Sequence, residues 1–470
     1  MNCVELFTQK AKEHPERTAI WLSPTEQISF AELLHHGGKA QVTLRKMNLK
    51  AGDSLLLLET LTPQLYAIIC AALGMGVSVI LVEPWMPVTD IEHVINLVKP
   101  KLFVTRWWGY PWGLRVSSIR HIPRWMHVTS LFKEPTSDFK AESVDPQIPG
   151  IITFTTGTTG KPKGVRRNQG YLIDQYHALD HSLGLSKHEG PDMTLFANFA
   201  LANLAAGRTS VIVNPKWKKS QLEHIFALPK EQQPVTLTTG PAFLLELFKY
   251  QNVLPELKSI HVGGALTDTW IFKEAFKRWP ESQFQHLYGS SEAEPVAHAD
   301  ARKAVSFSEG KGYFQTLFVG HPASDIQSKF EDTGLWVTGP HVCPEYIGNA
   351  EENKKNKRRD SEGHVWHSMG DRIVSDEKGW WYSGRSQQSL EDFELEQQVY
   401  AFLKSSKAFL HKTRTGLCLV GENLIGKELD IKKTFPVIQA VHEAKIIRDR
   451  RHRARIDRLQ SLKKAGLHDL

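Results

Sequence analysis

Ile151-Ile152-Thr153-Phe154-Thr155-Thr156-Gly157-Thr158-Thr159-Gly160-Lys161-Pro162-Lys163-Gly164-Val165 is the stretch on which the fold turns. Ile151 to Phe154 read as a strand. Pro162 has no backbone donor and opposes a helix, so the spacing predicts strand, loop, strand and not a loop that opens a helix. The glycines let the main chain approach an anion with successive N–H groups pointing at it. Thr155, Thr156, Thr158 and Thr159 add hydroxyls, and Lys161 and Lys163 add charge. Polyphosphate is the guest this chemistry suits, and the residue order is far more specific than a surface turn needs.

Outward from that run, short apolar segments alternate with helical patterns at Ser54–Glu59, Val77–Val82, Lys101–Thr105, Gly150–Thr155 and Thr209–Val213. That rhythm predicts parallel strands with crossover helices, hence an α/β fold. At 470 residues and 41% hydrophobic the chain supports a large core in two to four domains. The uncharged run Leu65–Val82 is interrupted by Gly74 and Gly76 and predicts a buried helix then a buried strand, not a membrane span. No basic cluster precedes an apolar stretch near the N-terminus, so a cytoplasmic location is expected. Cys3, Cys70, Cys343 and Cys418 lie too far apart for a zinc or redox motif, and reduced thiols are expected. The basic runs, Lys354–Arg359 and Arg448–Lys464, read as solvated faces; they argue against a nucleic-acid partner and leave peripheral contact with an anionic membrane open. The charged segment Glu351–Asp360 is expected to be an exposed loop, and a boundary is expected after Arg385, dividing 1–385 from a small unit at 386–470.

Further candidates follow in order. His261-Val262-Gly263-Gly264-Ala265 is a glycine turn after a strand, and Leu287-Tyr288-Gly289-Ser290-Ser291-Glu292 is a second. Tyr288 has the ring to stack on a purine, Ser291 a hydroxyl for a phosphoryl or carboxylate oxygen, and Glu292 a hard oxygen for Mg²⁺. Then come Met369-Gly370-Asp371, Gly384-Arg385 and Ala444-Lys445-Ile446-Ile447-Arg448. Together with the first run, this series closely resembles the adenylate-forming superfamily of acyl-CoA synthetases, luciferases and nonribosomal-peptide adenylation domains. The resemblance implies a large N-terminal α/β adenylation domain with a small α+β C-terminal lid. It implies ATP and Mg²⁺, with CoA as a further co-substrate. Thr155–Lys163 would hold the phosphates, Gly263, Gly264 and Ala265 would pack beside adenine, Asp371 and Arg385 would fix the ribose, and Lys445 would be the mobile catalytic lysine, alongside Glu292 and Lys163. Three departures stand out. Serine replaces the usual threonine at Ser291, Ala444 replaces a glycine, and Gln388 stands where a hinge aspartate is expected.

Within the superfamily, Val82-Glu83-Pro84-Trp85-Met86, Tyr288–Val296, Val365–Asp371 and Phe435-Pro436-Val437 resemble the bacterial β-lactone synthetases of olefin biosynthesis and related fatty-acid AMP-forming ligases. That group also lacks the hinge aspartate. The likeness implies adenylation of a 3-hydroxy fatty acid followed by ring closure, with acyl-CoA ligase and a non-catalytic nucleotide-binding protein as rivals. Leu195–Leu204, with Phe196 and Phe199, is apolar and without an acid, which favours an alkyl acid over an amino acid as the small-molecule substrate. The sequence does not give the oligomeric state.

Overall fold

The computed structural model describes residues 1–82, 86–135, 138–156, 162–214, 217–251, 253–414, 416–448 and 456–467, with Thr155, Thr156 and Pro162 as main chain only. The apolar runs form two sheets. In a seven-stranded sheet, Pro149–Thr156, Ser78–Leu81, Ser54–Leu58, Leu102–Thr105 and Arg124–His127 lie side by side and parallel. The apolar runs of Ser54–Leu58 and Leu102–Thr105, buried throughout, suit strands covered on both faces. Pro149–Thr156 turns back as the antiparallel strand Pro162–Asn168, with Thr155 opposite Lys163, as Pro162 predicts. Gly157, Thr158, Thr159, Gly160 and Lys161 lie outside the described residues, as do Glu83, Pro84 and Trp85.

An eleven-stranded sheet and a four-stranded sheet of Gln327–Glu331, Gly334–Thr338, Val365–Ser368 and Lys357–Arg359 carry the rest of the large unit. Thr18–Ser23, Ser210–Ile212, Asp192–Thr194, Thr236–Thr239, Ser259–Val262 and Gln283–Ser290 run parallel, and Ala293–Asp300, Phe318–Pro322, Gly379–Arg385 and Asp371–Asp376 continue antiparallel. The run Leu65–Val82 is a helix, Pro63–Gly74, then the strand Ser78–Leu81. Thr62 caps that helix by accepting from the Leu65 N–H, and Pro63 fits its first turn. Leu55 and Leu57 from one sheet and Ile20 and Ile212 from the other share one core with this helix. No helix among the described residues is long and apolar enough to cross a membrane.

After Arg385 only Ser386 to Ser389 precede the helix Leu390–Leu403, which packs on a three-stranded sheet of Ala408–Thr413, Gly416–Gly421 and Ile438–Glu443. The connection is tied at both ends. Ser386 N donates to the Gly370 carbonyl at 3.0 Å, Arg372 Nη1 to the Gln388 carbonyl at 2.9 Å, and Gln388 Nε2 to Glu396 at 3.1 Å. Farther out, Ser406 Oγ donates to Asp268 at 2.9 Å across the two units.

The segment Glu351–Asp360 corrects the expectation of an exposed loop. Asn349 caps a helix, Ala350–Asn356, by accepting from the Glu352 N–H, and the strand Lys357–Arg359 follows. Glu352 is only 4% exposed, since its carboxylate pairs with Lys163. A charge run read as solvated therefore contains a buried ion pair, because its partner lies nearly two hundred residues away in sequence.

Candidate active site

A single cavity of about 1530 Å³ opens where the parallel strands of both sheets end, the usual place for ligands in such sheets. Glu59, Thr239-Gly240, Gly263-Gly264 and Tyr288 to Glu292 all line it, each at or just beyond a strand's C-terminal end.

At one end stand Tyr288, Asp371 and Arg385. The Tyr288 hydroxyl donates to Asp371 Oδ2 at 2.7 Å, and Arg385 Nη1 pairs with Asp371 Oδ1 at 2.8 Å. Burial, then the Asp371 carboxylate, pushes the Tyr288 phenol well above its usual pKa, so it stays a donor. Gly370, at φ 65°, makes the turn that places Asp371, a left-handed conformation that favours glycine. Gly263 and Gly264 line the same cavity; a Cβ at Gly263 would stand 3.1 Å from that of Leu287. Ala265 follows outside the lining residues. The carbonyl of Ser291 accepts from Arg167 Nη2 at 2.7 Å, which joins this strand end to Pro162–Asn168.

Glu292 sits at the centre. Tyr346 donates its hydroxyl to Glu292 Oε1 at 2.8 Å, and the Lys163 and Lys357 ammonium groups stand 5.3 and 5.2 Å from the centre of the Tyr346 ring. Burial would raise the Glu292 pKa, but His367, the Tyr346 hydroxyl and Lys357 outweigh it and bring it to about 2. Glu292 is therefore ionised at neutral pH. His367 is pushed down to about 3, by burial first and Lys357 second, so its ring is neutral there. Among the described residues no group of three or more His, Cys, Asp and Glu could hold a metal. One ionised carboxylate fits Mg²⁺ that keeps waters and takes its remaining ligands from a substrate.

Beyond this charged end the same cavity has an apolar lining that includes Phe196, Phe199, Leu179, Leu201, Ile69, Leu73 and Phe7, the apolar arm of the cavity. The rings of Phe196 and Phe199 stand 5.9 Å apart. The arm is not wholly apolar. Glu294 lines it and accepts from Asn198 Nδ2 at 2.8 Å, so an acid enters from Ala293–Asp300 that Leu195–Leu204 does not contain.

Lys445, like Ala265, is a predicted site residue that does not line the cavity. Ala444 and Ile446 are buried in the small unit's core, and alternation along the extended chain turns Lys445 to solvent. Arg448, three residues on, does line the cavity, with Asp457 and Gln460. Tyr346, Lys357, His367, Glu352 and Glu294 went unmarked in the sequence. The only signal was that His367 lies two residues before Met369-Gly370-Asp371.

A family model described as AMP-binding enzyme matches residues 7–347. The chain is 29% identical to an indoleacetate–CoA ligase of Aromatoleum aromaticum over 53% of this chain and 49% of that one. It is 25% identical to the olefin beta-lactone synthetase of Stenotrophomonas maltophilia over 70% of this chain and 67% of that one. Two matched synthetases are much longer, and the chain spans only 6% and 14% of their length. In fold it is similar to ATP-bound MatB from Rhodopseudomonas palustris, with a TM-score of 0.80, 15% identity, and 100% of this chain and 99% of that one covered.

Proposed function

We propose, from the premise that the chain belongs to the AMP-binding enzyme family, that it joins the carboxylate of an organic acid to the α-phosphate of ATP and releases pyrophosphate. The observation that carries this reading is the continuity of one cavity from a phosphate-and-ribose end into an apolar arm. An acid lying in the arm would present its carboxylate to the charged end, next to where the α-phosphate of a nucleotide held by Asp371 and Arg385 would stand. A carboxylate oxygen attacks phosphorus, the bond from the α-phosphorus to the bridging oxygen breaks, and pyrophosphate leaves. Positioning and charge stabilisation do most of the work in such a transfer.

Thr155 to Gly160 with Lys163 would hold the β- and γ-phosphates, which must compete with Glu352 for the Lys163 ammonium. Asp371 would accept from the ribose hydroxyls, and Ser291 would meet a phosphoryl oxygen. Mg²⁺, when bound at Glu292, would neutralise phosphate charge. In this reading residues 1–385 form the adenylation domain and 386–470 the lid.

The acid we propose is a fatty or 3-hydroxy fatty acid, since most of the arm is alkyl and aromatic. A 3-hydroxyl in reach then attacks the acyl carbon, AMP leaves, and a four-membered lactone closes with loss of the hydroxyl proton. Support comes from the tied connection at Ser386–Gln388, which holds the small unit in place, and from the similarity to an olefin beta-lactone synthetase. Capture by CoA as a thioester is the second reading, favoured by the similarity to an indoleacetate–CoA ligase. Incubation with ATP, Mg²⁺ and plain or 3-hydroxy acids, with and without CoA, tests both by mass spectrometry. A product lighter than the acid by one water without CoA supports the lactone, a CoA-dependent thioester supports the ligase, and no pyrophosphate with any acid defeats the adenylation reading.

A further inference from the structure

Residues 93–133 contain seven Lys and Arg and no Asp or Glu, an excess as large as the +7 of the whole chain. Four tryptophans lie in the same stretch. It folds as the last two strands of the seven-stranded sheet, Leu102–Thr105 and the edge strand Arg124–His127, joined by the short helices Trp107–Gly109, Tyr110–Arg115 and Ser117–Arg120.

The tryptophans divide by role. Trp125 is an anchor: it packs edge-on against Phe103 at 5.3 Å and donates to the Ile119 carbonyl at 3.2 Å. Gly113 lies so close to it that a Cβ would fall 2.0 Å from its ring. Trp107 faces out at 73% exposure, with Leu114 at 70% and Trp108 at 39%. Trp107 is nonetheless held in place, 4.8 Å from the His127 ring and 5.3 Å from that of Tyr110. An apolar projection of this kind on a rigid base is unusual for a surface meant to face only water.

The charge around it is only partly compensated. Nearby carboxylates are engaged already: Glu59 by Arg106 at 2.6 Å, Asp53 by Lys101 at 2.6 Å, and Glu92 by the Ser117 N–H at 3.1 Å. Lys99, Arg115 and Arg120 are exposed and make no ion pair among the described residues. The face also adjoins the cavity. Leu58 pairs with Thr105, so Glu59, which lines the cavity, and Arg106, which bonds to it, lie side by side just before Trp107.

We propose that the face carrying Trp107, Trp108 and Leu114 docks on an anionic lipid bilayer. Indole rings favour the headgroup boundary, an exposed leucine reaches past it, and flanking cations meet the surface potential. The argument rests on exposure and charge and stands whether or not the acid is fatty. If it is, the substrate's own solvent borders the cavity wall.

Flotation of the full chain with vesicles tests it, using phosphatidylcholine alone and phosphatidylcholine mixed equally with phosphatidylglycerol. The chain should float with the anionic vesicles, little with the neutral ones, and less as salt rises. Arg115→Glu with Arg120→Glu, and separately Leu114→Ser, should each weaken partition, the charge pair by about tenfold or more. Thermal unfolding of each variant shows that the fold survives; Leu114 is exposed enough to serve if the arginine pair does not. No flotation, equal binding to neutral vesicles, parental binding by both variants, or capture of an acidic carrier protein with vesicles ignored would overturn the proposal.

Discussion

The two charged ends of the cavity are built from the same residue types but by different routes. At one end, Tyr288, Asp371 and Arg385 all belong to the motif series, and their contacts run among themselves at 2.7 and 2.8 Å. At the Glu292 end, Glu292 and Lys163 are motif residues whose partners are Tyr346, from a short strand outside the motifs, and Glu352 and Lys357, from a segment that reads as solvent-facing. The first end is assembled within one sheet, where Asp371 and Arg385 pair on neighbouring strands. The second is assembled where Tyr346 pairs with Val165 and the helix and strand that follow bring in Glu352 and Lys357, and its electrostatics cannot be read without that fold.

The comparison is broken most severely at Glu292. If its ionised carboxylate is the centre of the phosphate end, Glu292→Gln should lower pyrophosphate release by about a thousandfold, the scale of losing a charged group aimed at the reacting phosphates. Stopped assays with parent and variant at equal ATP decide it, and a loss under about threefold would remove Glu292 from that role. At the other end the effect should fall on binding. Asp371→Asn removes a charged acceptor and releases Tyr288 and Arg385, so ATP affinity by calorimetry should drop about ten- to a hundredfold.

Tyr346→Phe sharpens the contrast with a smaller effect. The variant keeps the ring between the two lysines and loses only the hydroxyl that donates to Glu292, so activity at neutral pH should fall about three- to tenfold. Its signature is in pH. Glu292 titrates at about 2 when folded against 4.5 for a free carboxyl, so its contribution to stability is full above 4.5 and is lost as pH falls toward 2. Without the hydroxyl the folded value rises, the window narrows, and the acid limb of the rate profile moves up. An unchanged acid limb would mean that Tyr346 does not set the Glu292 charge.

Legibility followed the same division. Pro162 and the alternating apolar runs predicted both the turned-back strand and the parallel sheets, because those are local properties of strands buried on two faces. Glu352 looked solvated because its neighbours in sequence are, and a buried carboxylate is legible only from its distant partner. Glu294 escaped for a related reason. The apolar arm was read from Leu195–Leu204 alone, whereas a strand from another part of the chain contributes the acid that bonds to Asn198.

The smallest expected effect concerns the lid. Lys445 resembles a mobile catalytic lysine, yet its neighbours Ala444 and Ile446 fill the small unit's core and leave it on the outer side, while Arg448 lines the cavity. For Lys445 to reach the α-phosphate, the small unit would have to turn. That motion would strain or break the bonds from Ser386 to Gly370, from Arg372 to the Gln388 carbonyl and from Ser406 to Asp268, each worth about 1 kcal/mol net. In the tied arrangement Lys445→Ala should change pyrophosphate release by less than about twofold, roughly 0.4 kcal/mol of barrier. Arg448→Ala should cost more, since its charge faces the site. A loss at Lys445 of about a hundredfold would reverse the reading: the tethers would then be one resting pose of a unit that turns during adenylation, and Arg372→Ala, which frees the tether to the Gln388 carbonyl, should speed the parent reaction.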